Sequence, residues 1–122
     1  MPYENHWTDN GLYRKFTGVI SGREVFESNT LLHGDERFDS VEFILNDFTA
    51  IDGYDLSDID INLIANSDKV SNLVNRKVKV AIVVDNPELY AWVDKYFLAI
   101  GQAMFDCLMF KSVEEAKAWI ET

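Results

Sequence analysis

The chain has 122 residues, of which 48% are hydrophobic and 26% charged, and its formal net charge is -10. This length and composition predict a single domain over residues 1–122 with one hydrophobic core, and they disfavour a disordered chain. The negative charge disfavours binding to nucleic acid phosphates, so no nucleic-acid partner is expected. The first residues lack a signal peptide, no apolar run approaches the ~20 residues that span a bilayer, and the lone Cys107 excludes an internal disulfide. We therefore expect a cytoplasmic protein.

The first third of the sequence predicts a hairpin followed by a helix. Residues 3–8 and 12–20 alternate between apolar and polar side chains, and the Asn-Gly dipeptide between them is typical of a type I′ turn. The buried face of this hairpin should carry Trp7, Leu12 and Phe16. Ser21 and Glu24 have the spacing of a capping box, which predicts a helix over residues 22–33 that ends at Gly34.

The middle of the chain predicts a buried strand, an acidic segment and a second helix. Residues 41–48 contain the continuous apolar run Phe-Ile-Leu, which is typical of a strand covered on both faces. Residues 38–68 carry eight acidic side chains and no basic one. A helix should begin near Ser57 or Asp58, either of which can cap it, and a break is expected near residues 66–67 before a last turn. Its apolar positions at helical spacing are Leu56, Ile59, Leu63 and Ile64, with Val70, Leu73 and Val74 in the last turn.

The last third predicts two further strand–helix units. Residues 78–84 are rich in β-branched side chains, and Asn86 followed by Pro87 is typical of a helix start. A short strand over residues 105–110 and a capping box at Ser112 and Glu115 complete the chain. The element order β-β-α-β-α-β-α-β-α predicts an α/β protein. Its single sheet should be mixed, mostly parallel and of about five strands, with helices packed on it and the hairpin as an antiparallel edge.

Chemical motifs do not indicate an enzyme. The aspartates of residues 46–62 fail the spacing of an EF-hand loop, since counting from Asp52 puts Ser57 at position 6 and Leu63 at position 12, where Gly and Glu are needed. They are better interpreted as helix-start charges on an acidic surface. Nucleophile elbows, Cys-x-x-Cys pairs and phosphate-binding loops are missing from the sequence. We expect no catalytic residues, no cofactor and no metal.

Aromatic residues on the predicted third helix form a second candidate site. Trp92 and Tyr96 share the core-facing stripe, whereas Tyr90 and Phe97 share another face, and Phe105 follows the helix. This second face can dock a partner, line a ligand pocket or touch a membrane interface. Alternatively, another element covers it, such as the final helix with Trp119.

Three stretches of the chain resemble the STAS domain of anti-sigma-factor antagonists. They are VEFILNDFTAIDGYDLSDI, VKVAIVVDNPEL and FDCLMFKSVEEAKAWI, and together with the element order they cover nearly the whole chain. The specific resemblance is to the SpoIIAA-like family, which overlaps with Sec14-type lipid-binding domains. It implies a non-catalytic module that binds a protein partner and is switched by a serine at a helix start. The matching positions here are Asp52, Gly53 and Tyr54, and Ser57 comes three residues later.

The resemblance therefore implies a regulatory or interaction module that lacks the usual phosphorylatable serine. Its partner-binding candidates are Asp52, Gly53, Tyr54, Asp55, Ser57 and Asp58. The alternative is a carrier or sensor of a small apolar ligand or lipid with transient membrane association. The contact candidates for that function are Tyr90, Trp92, Tyr96 and Phe97. A homodimer and a carboxylate-based hydrolase stay open. A closed seam between the second and third helices would favour partner binding, and an apolar cleft there would favour a carrier.

Overall fold

The structure is a computed structural model that describes residues 3–73, 75, 77–101 and 106–122. Five strands and four helices alternate along the chain, in the predicted order. They are β1 (Tyr3–Trp7), β2 (Gly11–Ser21), α1 (Gly22–His33), β3 (Phe43–Asp55), α2 (Asp58–Ser71), β4 (Lys79–Val83), α3 (Pro87–Ile100), β5 (Asp106–Phe110) and α4 (Val113–Ile120), with a 3₁₀ turn at Glu36–Asp39. The predicted contributions of Val74 and Phe105 lie outside the described residues.

The strands form one sheet in the order β1-β2-β3-β4-β5. β1 is antiparallel to β2, and every other neighbouring pair is parallel, which confirms the predicted mixed sheet with an antiparallel edge. Each parallel crossover moves one strand in the same direction, so right-handed connections put α1, α2 and α3 on one face. These helices lie side by side, whereas α4 packs on the opposite face against β3, β4 and β5.

Two hydrophobic clusters lie on the two faces of the sheet. Alternation along β3 sends Ile44 into the larger cluster beneath α1, α2 and α3, and Leu45 into the smaller cluster beneath α4. Ala116 of α4 is fully buried against Leu45, Ala81 and Val83. The central strands are therefore covered on both faces, as their continuous apolar sequence predicts.

The predicted hairpin forms, but its predicted type I′ turn is wrong. Trp7 pairs with Leu12 and the Thr8 amide donates to the Gly11 carbonyl at 2.8 Å, so residues 9 and 10 connect the strands and Gly11 is the first residue of β2. Among the described residues only Gly18 and Gly101 have positive φ, so Asn10 and Gly11 lack the geometry of that turn. Gly11 has another reason to be glycine, because a Cβ there would lie 2.2 Å from the ring of Phe43.

Residues 49–55 of the acidic range belong to β3, which corrects the predicted end of this strand at residue 48. β3 continues to Asp55 because the eleven-residue β2 offers it a partner, and Ile20 and Ser21 pair with Tyr54 and Asp55. The register shifts between Gly18 and Val19, where Gly18 has a φ of 72°. Glycine at a β-bulge accepts this conformation without strain.

α2 runs from Asp58 to Ser71 without the predicted break. Ser57 caps it in a capping box with Asp60, so one of the two predicted caps is confirmed. Ile61, Ile64 and Ala65 face the core. Four of the expected apolar positions face outward instead, since Ile59 is 72%, Leu63 48%, Val70 67% and Leu73 64% exposed.

The starts of α1 and α2 pack so closely that Gly22 must remain glycine. A Cβ at Gly22 would lie 2.3 Å from Oδ2 and 2.4 Å from Cβ of Asp60, and the same Oδ2 accepts the Ser57 amide at 3.1 Å. We expect Gly22→Ala to lower the free energy of unfolding by about 1–3 kcal/mol through overpacking, measured by urea denaturation.

Gly34→Ala is the matched control for this prediction. Its Cβ would meet only the Thr30 and Leu31 carbonyl oxygens at 3.7 and 3.8 Å, and its φ of -87° suits alanine. The free energy of unfolding should change by less than about 1 kcal/mol. Equal effects of the two substitutions would contradict the close packing of Gly22 against Asp60.

Candidate functional site

A cavity of about 110 Å³ lies between the sheet and the layer of α1, α2 and α3. Its walls are mainly apolar side chains from all of these elements. Representative wall residues are Ile20, Leu32, Ile64, Val80, Ile82 and Val93. Seven polar side chains also reach the cavity, namely Arg14, Asn29, Asn46, Asp68, Ser71, Asn72 and Tyr96. An apolar cavity with a few convergent polar groups is the usual form of a small-molecule site.

Arg14 brings a positive charge into this cavity from the middle of β2. It lies between Leu12 and Phe16 on the buried face of the strand and is only 2% exposed. Its Nη1 donates to Asn29 Oδ1 at 2.7 Å and to Asn46 Oδ1 at 3.4 Å, and its Nη2 donates to Ser28 Oγ. These hydrogen bonds join β2 to α1 and to β3.

The Arg14 guanidinium has neutral partners rather than a direct counter-ion. Within the described parts of the chain its hydrogen-bond acceptors are amide and hydroxyl oxygens, and its buried Nε has no hydrogen-bond partner. The rings of Tyr3 and Phe16 lie 5.5 and 5.2 Å from its central carbon, so cation–π attraction compensates part of its lost hydration. Burial lowers the pKa of Arg14 to about 10, at which the side chain remains protonated at pH 7.

Asp68 lies on α2 and is the acidic member of the polar cluster that lines the cavity with Arg14, Asn29 and Tyr96. Its Oδ2 accepts the Tyr96 hydroxyl, and its Oδ1 accepts from Asn29 Nδ2 at 3.5 Å. Burial raises the pKa of Asp68 to about 6, although the Tyr96 hydrogen bond and the Arg14 charge both favour the anion. Asn29 thus bridges Arg14 and Asp68, and the Asp68 carboxylate attracts the guanidinium electrostatically.

His33 adjoins Asp68 from the end of α1. Its Nε2 is 3.6 Å from Asp68 Oδ1, and its Nδ1 is 3.3 Å from Ser67 Oγ. Burial, and then the Arg14 charge, lower the pKa of His33 to about 4, which outweighs the attraction of the nearby carboxylate. His33 is therefore neutral at pH 7.

The predicted switch residues lie on the surface, at the end of β3 and the start of α2. Tyr54 donates its hydroxyl to Glu88 Oε2 at 3.0 Å. The Ser57 hydroxyl accepts the Asp60 amide at 3.1 Å, and the exposed Asp58 pairs with Lys95 at 3.1 Å. The three residues that match the family's switch position, at 52–54, are strand residues rather than a helix start. The role of these residues in partner binding stays a prediction.

The aromatic candidates of α3 divide between the cavity and its surroundings. Tyr96 is 7% exposed and Trp92 is half-buried, and both line the cavity. Tyr96 is therefore not accessible for membrane contact. Tyr90 and Phe97 are half-buried against the larger cluster. Trp119 does not cover them, because α4 lies on the opposite face of the sheet, where Trp119 packs on Phe110.

The two charged members of the cluster were not expected from the sequence, yet each carries a positional signal. Arg14 is at i+2 from Leu12 and i−2 from Phe16, so strand alternation puts it on the predicted buried face. Asp68 follows the buried Ile64 by four residues on α2. A charged residue at a core position of a predicted element would have indicated this site.

Groups for catalysis or metal binding are not evident among the described residues. They contain no group of three or more His, Cys, Asp or Glu side chains placed to hold a metal ion. Burial raises the pKa of the Cys107 thiol, which disfavours the reactive thiolate. Every helix in the described ranges is too short or too polar to cross a membrane. The expectation that the chain is not an enzyme stays a prediction.

No family model and no curated protein matches the chain. Among solved structures, the chain is similar to an uncharacterised protein from the DUF3478 family with a SpoIIAA-like fold, from Shewanella loihica PV-4. The two chains are 22% identical, the match covers 97% of this chain and 91% of that chain, and the TM-score is 0.49. The sheet and helices described above define an α/β protein with an internal cavity of mixed polarity.

The shifted pKa values of Asp68 and His33 predict how the free energy of unfolding depends on pH. Between about pH 6 and pH 4 the folded protein holds a proton on Asp68 that the unfolded chain releases, so this group stabilises the fold as pH falls. His33 acts in the opposite direction between about pH 6.5 and pH 4, because the folded state resists its protonation. The two contributions largely cancel in the wild-type protein.

Asp68→Asn should remove this cancellation. The variant should lose on the order of 2 kcal/mol more unfolding free energy than the wild-type protein between about pH 7 and pH 4.5, because only the His33 contribution remains. Urea denaturation at several pH values measures the difference. Asp52→Asn, at an exposed position on β3, is the control and should follow the wild-type curve. Parallel curves for Asp68→Asn and the wild type would contradict the assigned pKa directions.

Proposed function

We propose that this protein binds a small, mainly apolar molecule in the cavity between its sheet and the α1–α3 layer, acting as a carrier or sensor rather than as an enzyme. The cavity carries this proposal. It is lined by Ile64 from α2, by Val93 and Tyr96 from α3 and by side chains of the sheet. An apolar space at the seam of these two helices favours a ligand carrier over a closed interaction module.

The size of the cavity limits the ligand. A cavity of about 150 Å³ in another protein binds benzene, so 110 Å³ suits a body of about one small ring or a short aliphatic chain. A long lipid chain does not fit this volume without movement of the helices. The wall is mainly apolar, and burial of ligand surface would contribute about 25 cal/mol per Å².

Benzene is a suitable probe, because it tests the apolar cavity without requiring any polar contact. Saturable amide chemical-shift changes are expected for cavity-lining residues such as Ile64, Ile82 and Val93. Val93→Phe, which fills part of the space, should weaken binding by roughly tenfold or more. Leu98→Ala, at an 83% exposed position on the same helix, is the control and should bind as the wild type does. Shift changes confined to the surface would contradict the proposal.

A second candidate function is binding of a protein partner by the outward face of α2. Ile59 is 72% exposed, Leu63 is 48% exposed and Val70 is 67% exposed, and their spacing puts them in one row. The row begins beside Ser57 and Asp58, which the family resemblance implicates in partner binding. A row of exposed apolar side chains on one helix is a common form of interaction surface.

Site-specific photo-crosslinking tests this second function. A photoreactive residue at Leu63 should yield one dominant product in cells, and Ile59→Lys should abolish that product by disrupting the same row. Leu98→Lys, on the neighbouring helix, should leave the product unchanged. A product that contains a second copy of this chain would mean that the row forms a homodimer. Equal yields with Ile59→Lys and Leu98→Lys would contradict the assignment of the row.

A further inference from the structure

We infer that the ligand of this cavity is a small monocarboxylic acid, whose carboxylate pairs with the Arg14 guanidinium while its apolar body fills the space beneath α2 and α3. This inference rests on the proposed function and names the chemical class of its ligand. It follows from the partners of Arg14, from the polarity of the cavity and from the position of Asp68.

Arg14 has the hydrogen-bonding capacity for an anion. Its guanidinium carries five N–H donors, and the described acceptors are Asn29, Asn46 and Ser28, all neutral. The contact to Asn46 is long, at 3.4 Å, and the buried Nε has no partner among the described residues. Buried charges are normally paired, and a planar carboxylate matches the guanidinium fork better than any other common group.

The rest of the lining distinguishes an acid from other ligands that an arginine binds. The cavity is small and mostly apolar, and Arg14 is the only cation that lines it among the described residues. A phosphate would bring about two charges to one guanidinium, whereas a monocarboxylate brings one. A neutral apolar ligand would leave the guanidinium charge without an anionic partner, which costs free energy in a site of low polarity.

The Asp68 carboxylate competes with the ligand carboxylate for the charge of Arg14, and this makes acid binding sensitive to pH. The charged and titratable groups that face Asp68 come from four neighbouring elements: Arg14 on β2, His33 on α1, Tyr96 on α3 and Cys107 on β5. The neutral Asn29 bridges Arg14 and Asp68. An anionic ligand beside Arg14 would be repelled by ionised Asp68 but not by protonated Asp68. Because burial raises the pKa of Asp68 to about 6, ligand binding at pH 7 should be coupled to uptake of one proton by Asp68.

The test compares acids with their isosteric amides. Benzoate with benzamide, and butyrate with butyramide as a smaller pair, are titrated by calorimetry and by amide chemical shifts at about pH 5 and about pH 7.5. Free carboxylic acids titrate between about pH 4 and pH 5, so more than half of each acid is ionised at the lower pH and nearly all of it at the higher pH. At least one acid should bind roughly tenfold more tightly than its amide at the lower pH, and this preference should fall as pH rises.

Two variants assign the effect to the inferred groups. Asp68→Asn should keep the acid preference at about pH 7.5, because the competing carboxylate is absent, and should raise acid affinity there by roughly tenfold. Arg14→Met should abolish the acid preference while amide binding continues. If Arg14→Met does not fold, as judged by circular dichroism, Asp68→Asn alone decides. Proton uptake is measured independently, from the dependence of the binding enthalpy on the ionisation enthalpy of the buffer.

Each outcome is informative about one of the two proposals. Binding of benzene and the amides, with no preference for either acid, would overturn the acid inference and leave the proposed cavity function standing. An acid preference that Asp68→Asn leaves unchanged at both pH values would also overturn it. Failure of benzene, amides and acids alike would overturn the proposed function itself.

Discussion

The charge of Arg14 is the constraint on which the helical layer depends. The side chain emerges from β2 into an otherwise apolar interface, and its donors reach Ser28 and Asn29 of α1 and Asn46 of β3. Asn29 then contacts Asp68 of α2, which accepts the Tyr96 hydroxyl from α3. One buried cation therefore connects the sheet to all three helices on that face. Hydrophobic burial drives the layer together, and this network specifies how the helices are aligned.

The stability of the fold does not by itself explain why such a buried polar network is present. Moving a charge from water into a protein interior costs several kcal/mol, and well-packed apolar side chains often replace buried ion pairs without loss. In this structure the cost is visible in the lowered pKa of Arg14 and the raised pKa of Asp68, for both of which burial is the largest cause. The cluster also lies beside a cavity rather than in a filled core. Both features are expected of a site that recognises a polar group on a ligand.

Local patterns predicted the elements well and their ends less well. The capping box at Ser21, the Asn86–Pro87 helix start and the continuous apolar run of β3 depend on neighbours in sequence, and the structure contains each of them. The extension of β3 to Asp55 depends on pairing with β2, which is distant in sequence, so the local pattern predicted that the strand ends at residue 48. The predicted type of the hairpin turn was wrong because Gly11 is needed for close packing against Phe43 and does not have a positive φ.

The candidate site was not predicted from the sequence because it also depends on contacts between residues that are distant in sequence. The notable residues of the sequence are its many exposed aspartates, whereas the cluster uses one arginine and one aspartate at positions where an apolar residue is the ordinary choice. Spacing alone puts Arg14 on a buried face, but only tertiary packing brings it near Asn29 and Asp68. The aromatic stripe of α3 was the better guide, since Trp92 and Tyr96 both line the cavity.

The contact between Gly22 and Asp60 has a consequence for how sequences of this fold can diverge. The backbone of α1 lies against a side chain that also caps α2, so the two positions share one small volume. A larger residue at position 22 is compatible with the fold only if position 60 becomes smaller and position 57 finds another acceptor. Related chains should therefore vary at these positions jointly or not at all.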